Sequence, residues 1–309
     1  MKLNQLRDFI AMADHGSMRS AARTLGVSAP ALGKSIAQLE LELQVPLLVR
    51  SARGVVLSDY GRTLLERARL IDSEARKAGE EIAQLRGRHE GAVTIGASPT
   101  PGITIVPAVI AQFRRKFPAV NVSLVSGLYH SHVPRLRNGS MDLAIGPVPA
   151  DGLAADLSNE PLFYNDVVIV ARKRHPLAAA ESLAQLVDGD WAVTGPSTQG
   201  PGAAIFDAFR QHGLATPRHV VQCDITWALQ SLLEGSDLLC ALPRQLVDHL
   251  GFGASLRVLP IREALPRYVV SLYRLRESPM LPGAAHFAVL LRRHAHYLCR
   301  ARPEMAIRL

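Results

Sequence analysis

The strongest constraint on this chain is the order short helix, glycine, longer helix between Arg19 and Leu41. Arg19 to Leu25 carries Ala21, Ala22 and Leu25 at helical spacing, and small alanines let helices approach closely. Gly26 supplies the tight turn that follows. Ser28 is placed to cap the next helix, and Pro30 fits its first turn, where a missing N–H is no loss. Ala31, Leu32, Ile36 and Leu39 form its apolar set, while Ala29, Gly33, Lys34 and Gln38 fall largely on other faces. A preceding helix has Leu3, Leu6, Phe9, Ile10 and Ala13 on one face and stops at Gly16. Together these predict a compact trihelical unit ending in a helix-turn-helix. In that motif the longer helix enters a major groove, its early residues nearest the base edges.

The segment after it extends the argument. Leu47 to Val49 and Val55 to Leu57 are short strand candidates joined through Arg53-Gly54. Arg50 and Arg53 would flank this hairpin, and the guanidinium fork suits phosphate oxygens. From Ser58 to about Arg86 one long amphipathic helix is predicted, with Tyr60, Leu64, Leu65, Ala68, Ile71, Ala75, Ala78, Ile82 and Leu85 on its apolar side. A helix of that length is too exposed to stand alone and calls for a second subunit. Gly87 and Gly91 bracket a hinge into the next domain. The local pattern alone also fits a helical cap with no nucleic-acid role; the hairpin and the long helix favour duplex DNA as partner.

Composition narrows the classes without locating a site. A chain of 309 residues suits two or three domains, and 48% apolar with 20% charged residues is ordinary for a folded soluble protein. No run approaches the apolar length of a membrane span, and Asp8, Asp14 and His15 interrupt the stretch where a signal peptide needs an apolar core. A cytoplasmic protein without membrane association is expected. The formal charge of +8 favours a polyanionic partner. Residues 1–57 hold seven Lys/Arg against four Asp/Glu, so the excess is spread along the chain and does not mark the DNA face.

From Gly91 onward strands and helices alternate, which predicts an α/β unit of mostly parallel sheets. GAVTIGAS, Val120 to Val125, Met141 to Ile145, Val167 to Ala171, Trp191 to Val193, Val220 to Gln222 and Leu238 to Leu242 are strand candidates. Pro101 to Phe117, His130 to Asn138 and Ala203 to His212 read as helical. Ligands of such sheets gather beyond the C-terminal strand ends. Ser98-Pro99-Thr100 lies at one such end, where it could receive a small carboxylate or sulfonate, cap the following helix, or do both. Thr194-Gly195 and the glycine-rich GPSTQGPG follow another, either as a ligand-cradling loop or as an ordinary connection. The latter has no Gly-Lys-Ser/Thr ending and is no phosphate loop. Tyr129 could border the cleft or belong to a core or interface.

Other chemistry is expected to be absent. Cys223, Cys240 and Cys299 are too scattered for a disulfide framework or metal cluster. His286, His294 and His296 lack matching ligands elsewhere, and His130 and His132 would diverge on a helix. There is no Gly-x-Ser-x-Gly elbow, and nothing near Cys223 visibly lowers its pKa. No cofactor, metal site or enzyme activity is expected.

The ordered set Leu6-Arg7-Asp8-Phe9, Gly16-Ser17, Ala21-Ala22, Leu25, Val27-Ser28, Pro30-Ala31-Leu32, Ile36 to Glu42, Pro46-Leu47-Leu48, Arg50, Arg53-Gly54-Val55 and Leu57 resembles the head of LysR-type transcriptional regulators. The resemblance extends over almost the full length. Through EEIAQLRGRHEGAVTIGASP, PLFYNDVVIV and RQHGLATP the chain is similar to the branch with the toluenesulfonate-responsive and galactose-binding-protein-type regulators. Two departures stand out, Ala29 where glutamine is common and Gly33 where serine is common. They imply a changed operator preference, with readout leaning on Ser28, Ala31, Lys34 and Gln38 and on DNA shape.

The resemblance implies a winged helix-turn-helix over 1–58, a linker helix over 59–88, and an α/β effector domain of two periplasmic-binding-protein-like subdomains, 92–162 with 268–300 and 163–267. It implies DNA contacts from Ser17, Arg19, Ser28, Pro30, Ala31, Lys34, Gln38, Arg50 and Arg53. It implies an effector cleft with Ser98, Pro99, Thr100, Gly127, Tyr129 and Gly146 on one side and Thr194, Gly200, Gly202 and Cys223 on the other. It further implies an aromatic or otherwise anionic small-molecule effector, a homodimer or dimer-of-dimers tetramer, and RNA polymerase as a further partner.

Overall fold

The computed structural model describes residues 1–51, 54–86, 90–149, 152–195, 202–218, 220–249 and 255–307. They fall into two compact units, Met1–Glu90 with Pro134–Met141, and Gly91–Val133 with Asp142–Leu309.

The N-terminal unit begins with α1 (Leu3–His15), α2 (Met18–Leu25) and α3 (Ala29–Leu43). Gly16 and Gly26 close the first two helices at φ of 60° and 68°, a left-handed conformation that glycine adopts without a Cβ penalty. The Ser28 hydroxyl accepts from the Ala31 amide at 3.3 Å and caps α3. Ala21 and Ala22 are fully buried where α1 and α2 meet, and Leu6, Phe9, Met12, Leu32, Ile36 and Leu39 complete the core. Ala31, expected in the apolar set of α3, is exposed, whereas Ala29 is partly buried against the cluster of Ala11, Met12, Ala21, Ala22, Leu32 and Ile36. A 100° step per residue explains both: a side set by Leu32, Ile36 and Leu39 excludes position 31. The hairpin pairs β1 (Leu48–Ser51) with β2 (Gly54–Leu57), Arg50 opposite Val55. Helix α4 (Asp59–Leu85) follows, its first turn capped by the Ser58 hydroxyl, which accepts from the Gly61 amide at 2.9 Å.

The second unit is built on a nine-stranded sheet in the order β4-β3-β5-β11-β6-β9-β7-β8, with β10 paired to β6. Its first half contains β3 (Gly91–Ala97), α5 (Pro99–Thr104), α6 (Val106–Lys116), β4 (Val120–Ser126), the part of α7 (Tyr129–Arg137) before Pro134, and β5 (Leu143–Pro147). The chain then crosses on the long β6 (Leu157–Arg172) into β7 (Asp190–Val193), α8 (Ala203–Gln211), β8 (Val220–Gln222), α9 (Thr226–Gly235), β9 (Leu238–Pro243), α10 (Arg244–His249) and β10 (Leu256–Val258). It returns on β11 (Arg267–Leu275) to α11 (Pro282–Ala301). Within each half the short strands are parallel, β3 with β4 and β5, and β7 with β8 and β9. The two crossing strands run antiparallel to each other and to their neighbours, so the sheet is mixed rather than mostly parallel.

The stretch from Pro101 to Phe117 is two helices rather than one. They break at Ile105, two residues before Pro107, whose missing N–H and bulky ring favour a helix start over a helix interior. Apolar clusters cover the sheet. One joins β3 and β5 to α6 and α11 through Phe113 and Phe287; a second packs Trp191 and Phe209 against Leu183; a third packs Leu229, Leu233 and Leu246 against Cys240.

Candidate functional site

Two surfaces concentrate the expected functional residues. On the N-terminal unit, Ser17 and Arg19 are exposed at the start of α2, and Ser28, Pro30, Ala31, Lys34 and Gln38 are exposed along α3. Positions 31, 34 and 38 share one face by their spacing of three and four, opposite buried Leu32, Ile36 and Leu39. Lys34 is the one cation on that face. Glu40, on the inner side, points its carboxylate at the Leu47 and Leu48 amides at 2.7 and 3.0 Å and so anchors the hairpin to α3. Arg50 lies in β1. Arg53 lies outside the described residues.

In the second unit a cleft of about 280 Å³ opens where strand ends converge. Ser98, Pro99 and Thr100 stand beyond β3, Gly127 beyond β4, Pro147 at the end of β5, and Thr194 and Gly195 beyond β7. Asp224, Thr226 and Leu229 come from the start of α9, and Leu242, Pro243 and Leu246 from the end of β9 and α10. Ser98 is buried, its amide donates to the Ile145 carbonyl at 2.9 Å, and its hydroxyl makes no capping bond to α5. The capping role open to Ser98 from sequence is therefore not taken, and its hydroxyl is left to the cleft. Thr100 instead hydrogen-bonds with the Tyr268 hydroxyl, which also accepts from Asn165 Nδ2 at 3.0 Å. Burial pushes the Tyr268 phenol above its ordinary pKa, so it stays protonated as a donor.

Of the expected cleft residues, Ser98, Pro99, Thr100, Gly127 and Thr194 line the cavity. Tyr129 does not: its hydroxyl accepts from the Ala154 amide at 2.9 Å and its ring lies 5.5 Å from that of Tyr273. Gly146 sits behind the wall, where a Cβ would come within 3.0 Å of Ser98. Gly202 does the same for Thr194, with a Cβ only 2.3 Å from its carbonyl oxygen. Cys223 donates its amide to Val193 at 2.9 Å and packs on the cluster that holds Cys240. Gly200 lies outside the described residues. The cavity is also lined by Tyr268, brought in by the pairing of β11 with β6, and by Asp224 and Thr226, which follow β8 directly.

Among the described residues the cleft offers hydroxyls, an apolar wall, the His130 imidazole and one carboxylate, Asp224. Among the described residues no group of three His, Cys, Asp or Glu side chains could hold a metal ion. The thiols do not form a reactive pair: burial pushes Cys240 and Cys299 above the usual thiol range.

A helix-turn-helix with the outer face of α3 exposed and a two-lobed α/β unit with a cleft at its strand ends fit the class of DNA-binding regulators that carry a ligand-binding domain. Comparison with known proteins makes the class specific. The family model described as bacterial regulatory helix-turn-helix protein, lysR family, matches residues 3–62, and that described as LysR substrate binding domain matches residues 86–296. The chain belongs to the LysR family, and so is a regulator rather than an enzyme. It is 28% identical over 308 residues to the transcriptional regulator GbpR of Azospirillum brasilense, covering 99% of this chain and 90% of the relative. It is 29% identical over 252 residues to the regulator TdcA of Escherichia coli strain K12, covering 81% and 80%. The fold matches full-length CbnR solved with its target DNA at a TM-score of 0.69 and 23% identity, covering 95% of this chain and 100% of that one.

Proposed function

We propose that this LysR-family regulator reads its operator with Ser28, Pro30, Ala31, Lys34 and Gln38, steadied by Ser17, Arg19, Arg50 and Arg53, and that an effector in the cleft beside Ser98 and Thr100 controls the outcome. The observation that carries the proposal is the exposed outer face of α3. Self-association follows from α4: Tyr60, Ile71 and Ile82 on this 27-residue helix are exposed large apolar side chains that a second copy would cover. Paired heads address two half-sites of a near-palindromic operator, and a dimer of dimers would present four. RNA polymerase is then the partner whose access the bound complex alters. Within the family, the similarity to the toluenesulfonate- and galactose-binding-protein-type branch rests on the segments quoted above; GbpR and TdcA, at 28% and 29% identity, stand equally near. An aromatic part of an effector would lie on Leu229, Leu242 and Leu246.

The test is titration of the full chain with duplex DNA across a salt series. Lys34→Ala should weaken binding across sequences and reduce the slope of log affinity against log salt by about one; Arg50→Ala and Arg53→Ala should do likewise. Unchanged affinity and slope in all three would remove α3 and the hairpin from the interface.

A further inference from the structure

The effector cleft has an unexpected charge, and this inference rests on that cleft being the effector site. The chain carries +8 overall, yet the described residues lining the cleft include neither lysine nor arginine. The adjoining segment, Pro196 to Pro201, contains no charged residue either. The one carboxylate is Asp224. Its Oδ1 accepts the Gly195 amide at 2.6 Å, and its Oδ2 meets only the Gln222 side-chain amide at 3.4 Å. A carboxylate has about four acceptor positions, so Asp224, an exposed residue that lines the cavity, keeps acceptor capacity beyond these two bonds. It has no ion-pair partner among the described residues.

A bare organic anion entering this cleft would find hydroxyls and the like charge of Asp224, with His130, a side chain that is cationic only when protonated, in place of a fixed counter-cation. A positively charged donor would find the reverse. We propose that the effector carries an amine, held as an ammonium by Asp224, with its apolar body along Leu229, Leu242 and Leu246 and its other polar groups toward Ser98 and Thr100. Asp224 thereby sets the charge class of the effector. The ligand is an amino compound, zwitterionic or cationic, rather than a simple carboxylate. A zwitterion keeps the acid group that the strand-end hydroxyls suit and adds a cation for Asp224 to pair with.

The experiment uses the full chain and matched triplets of small molecules: an L-amino acid, the amine left by its decarboxylation, and the acid left by its deamination. Neutral polyols of similar size complete the set. Binding is read by thermal shift and titration calorimetry on the unmodified protein, on Asp224→Asn and on Thr226→Trp. The asparagine retains an acceptor for the Gly195 amide, so the local fold is kept; the tryptophan fills the cleft. The expected result is binding by amine-bearing members only, at least tenfold weaker in Asp224→Asn, roughly the loss of one charge-assisted hydrogen bond, and abolished in Thr226→Trp. If acids lacking an amine or polyols bind instead, if amines bind Asp224→Asn undiminished, or if no amine binds, the proposal is overturned. Binding that survives in Thr226→Trp would overturn the cleft assignment itself, which separates the two failures.

Discussion

Gly61 lies in the first turn of α4, and replacing it with alanine should unseat that helix from the head. The new Cβ would fall 2.1 Å from the Leu47 carbonyl oxygen, 3.1 Å from its carbon and 3.2 Å from Leu57 Cδ2. Carbon–oxygen contacts settle near about 3.3–3.6 Å, so something has to move by roughly 1 Å. Leu47 cannot yield. Its amide is held by Glu40, its carbonyl accepts the Ser58 amide at 2.9 Å, and its side chain is 1% exposed. Overpacking generally destabilises by about 1–3 kcal/mol, and a clash with pinned backbone belongs at the upper end. For a domain of this size each kcal/mol moves the melting point by about 4–8 °C, so a fall of roughly 10–20 °C is expected. Both tryptophans, Trp191 and Trp227, lie outside the N-terminal unit. Circular dichroism should therefore show an early helical transition while tryptophan fluorescence melts as before, and DNA affinity should drop with the head. Gly79→Ala is the control on the same helix. Nothing lies within 4 Å of its Cβ, and alanine favours a helix by about 1 kcal/mol over glycine, so it should leave the melt unchanged or raise it. If Gly61→Ala melts and binds DNA like the parent protein, the packing of α4 on the hairpin is not as described.

Two further predictions concern the second unit. Ser98→Ala should reduce the response to the effector while leaving basal DNA binding and the melting point nearly unchanged, because the hydroxyl caps nothing; a normal ligand titration would count against it. Glu263 is desolvated, which alone would raise its pKa, but bonds from the Ser182 hydroxyl at 2.7 Å and the Leu183 amide at 2.9 Å outweigh this and hold it below 4.5. A carboxylate lowered on folding stabilises above its unfolded pKa and loses that contribution as pH falls through the folded one. The fluorescence melt of the parent should thus exceed that of Glu263→Gln at pH 6, with the gap closing as pH drops below the carboxylate range; a gap constant down to pH 3 would contradict this.

What the sequence revealed follows from the range of the interactions. Caps, turns and periodicity act within a few residues, so Gly16, Gly26, Ser28 and the buried sides marked by Leu6, Phe9, Ala21, Ala22, Leu32, Ile36 and Leu39 are legible from neighbours alone, whereas the apolar side of α4 holds buried Ala68 beside exposed Tyr60, Ile71 and Ile82. Ala31 and Ala29 were mistaken because alanine is too weakly apolar to declare a side; only the larger Leu32, Ile36 and Leu39 fix the phase. The rule that ligands sit beyond strand ends located Ser98 to Thr100, Gly127 and Thr194. It did not say which neighbouring residues face inward, and so Gly146 and Gly202, which allow Ser98 and Thr194 their close approach, were counted as lining. Tyr268 was hidden for a different reason. It reaches the cleft because β11 pairs with β6, about a hundred residues earlier, and no local pattern records that register.

That pairing also joins the two halves of the second unit. Among the described residues the chain passes between the two halves of the sheet on β6 and returns on β11, so any rotation of one half against the other must be taken up in these two strands. Their register already shifts between Val270 and Ser271, a bulge of the kind that lets paired strands bend. Tyr268 lies two residues before the shift, bonded to Asn165 on the partner strand and to Thr100 on α5. Asn165 is fully buried with its Oδ1 lacking a partner, a cost that a change in geometry at this point could relieve. A controlling ligand must interact unequally with two arrangements. A ligand in the cleft that Thr100 and Tyr268 both line would meet that requirement if it held the two residues more tightly in one arrangement than in the other.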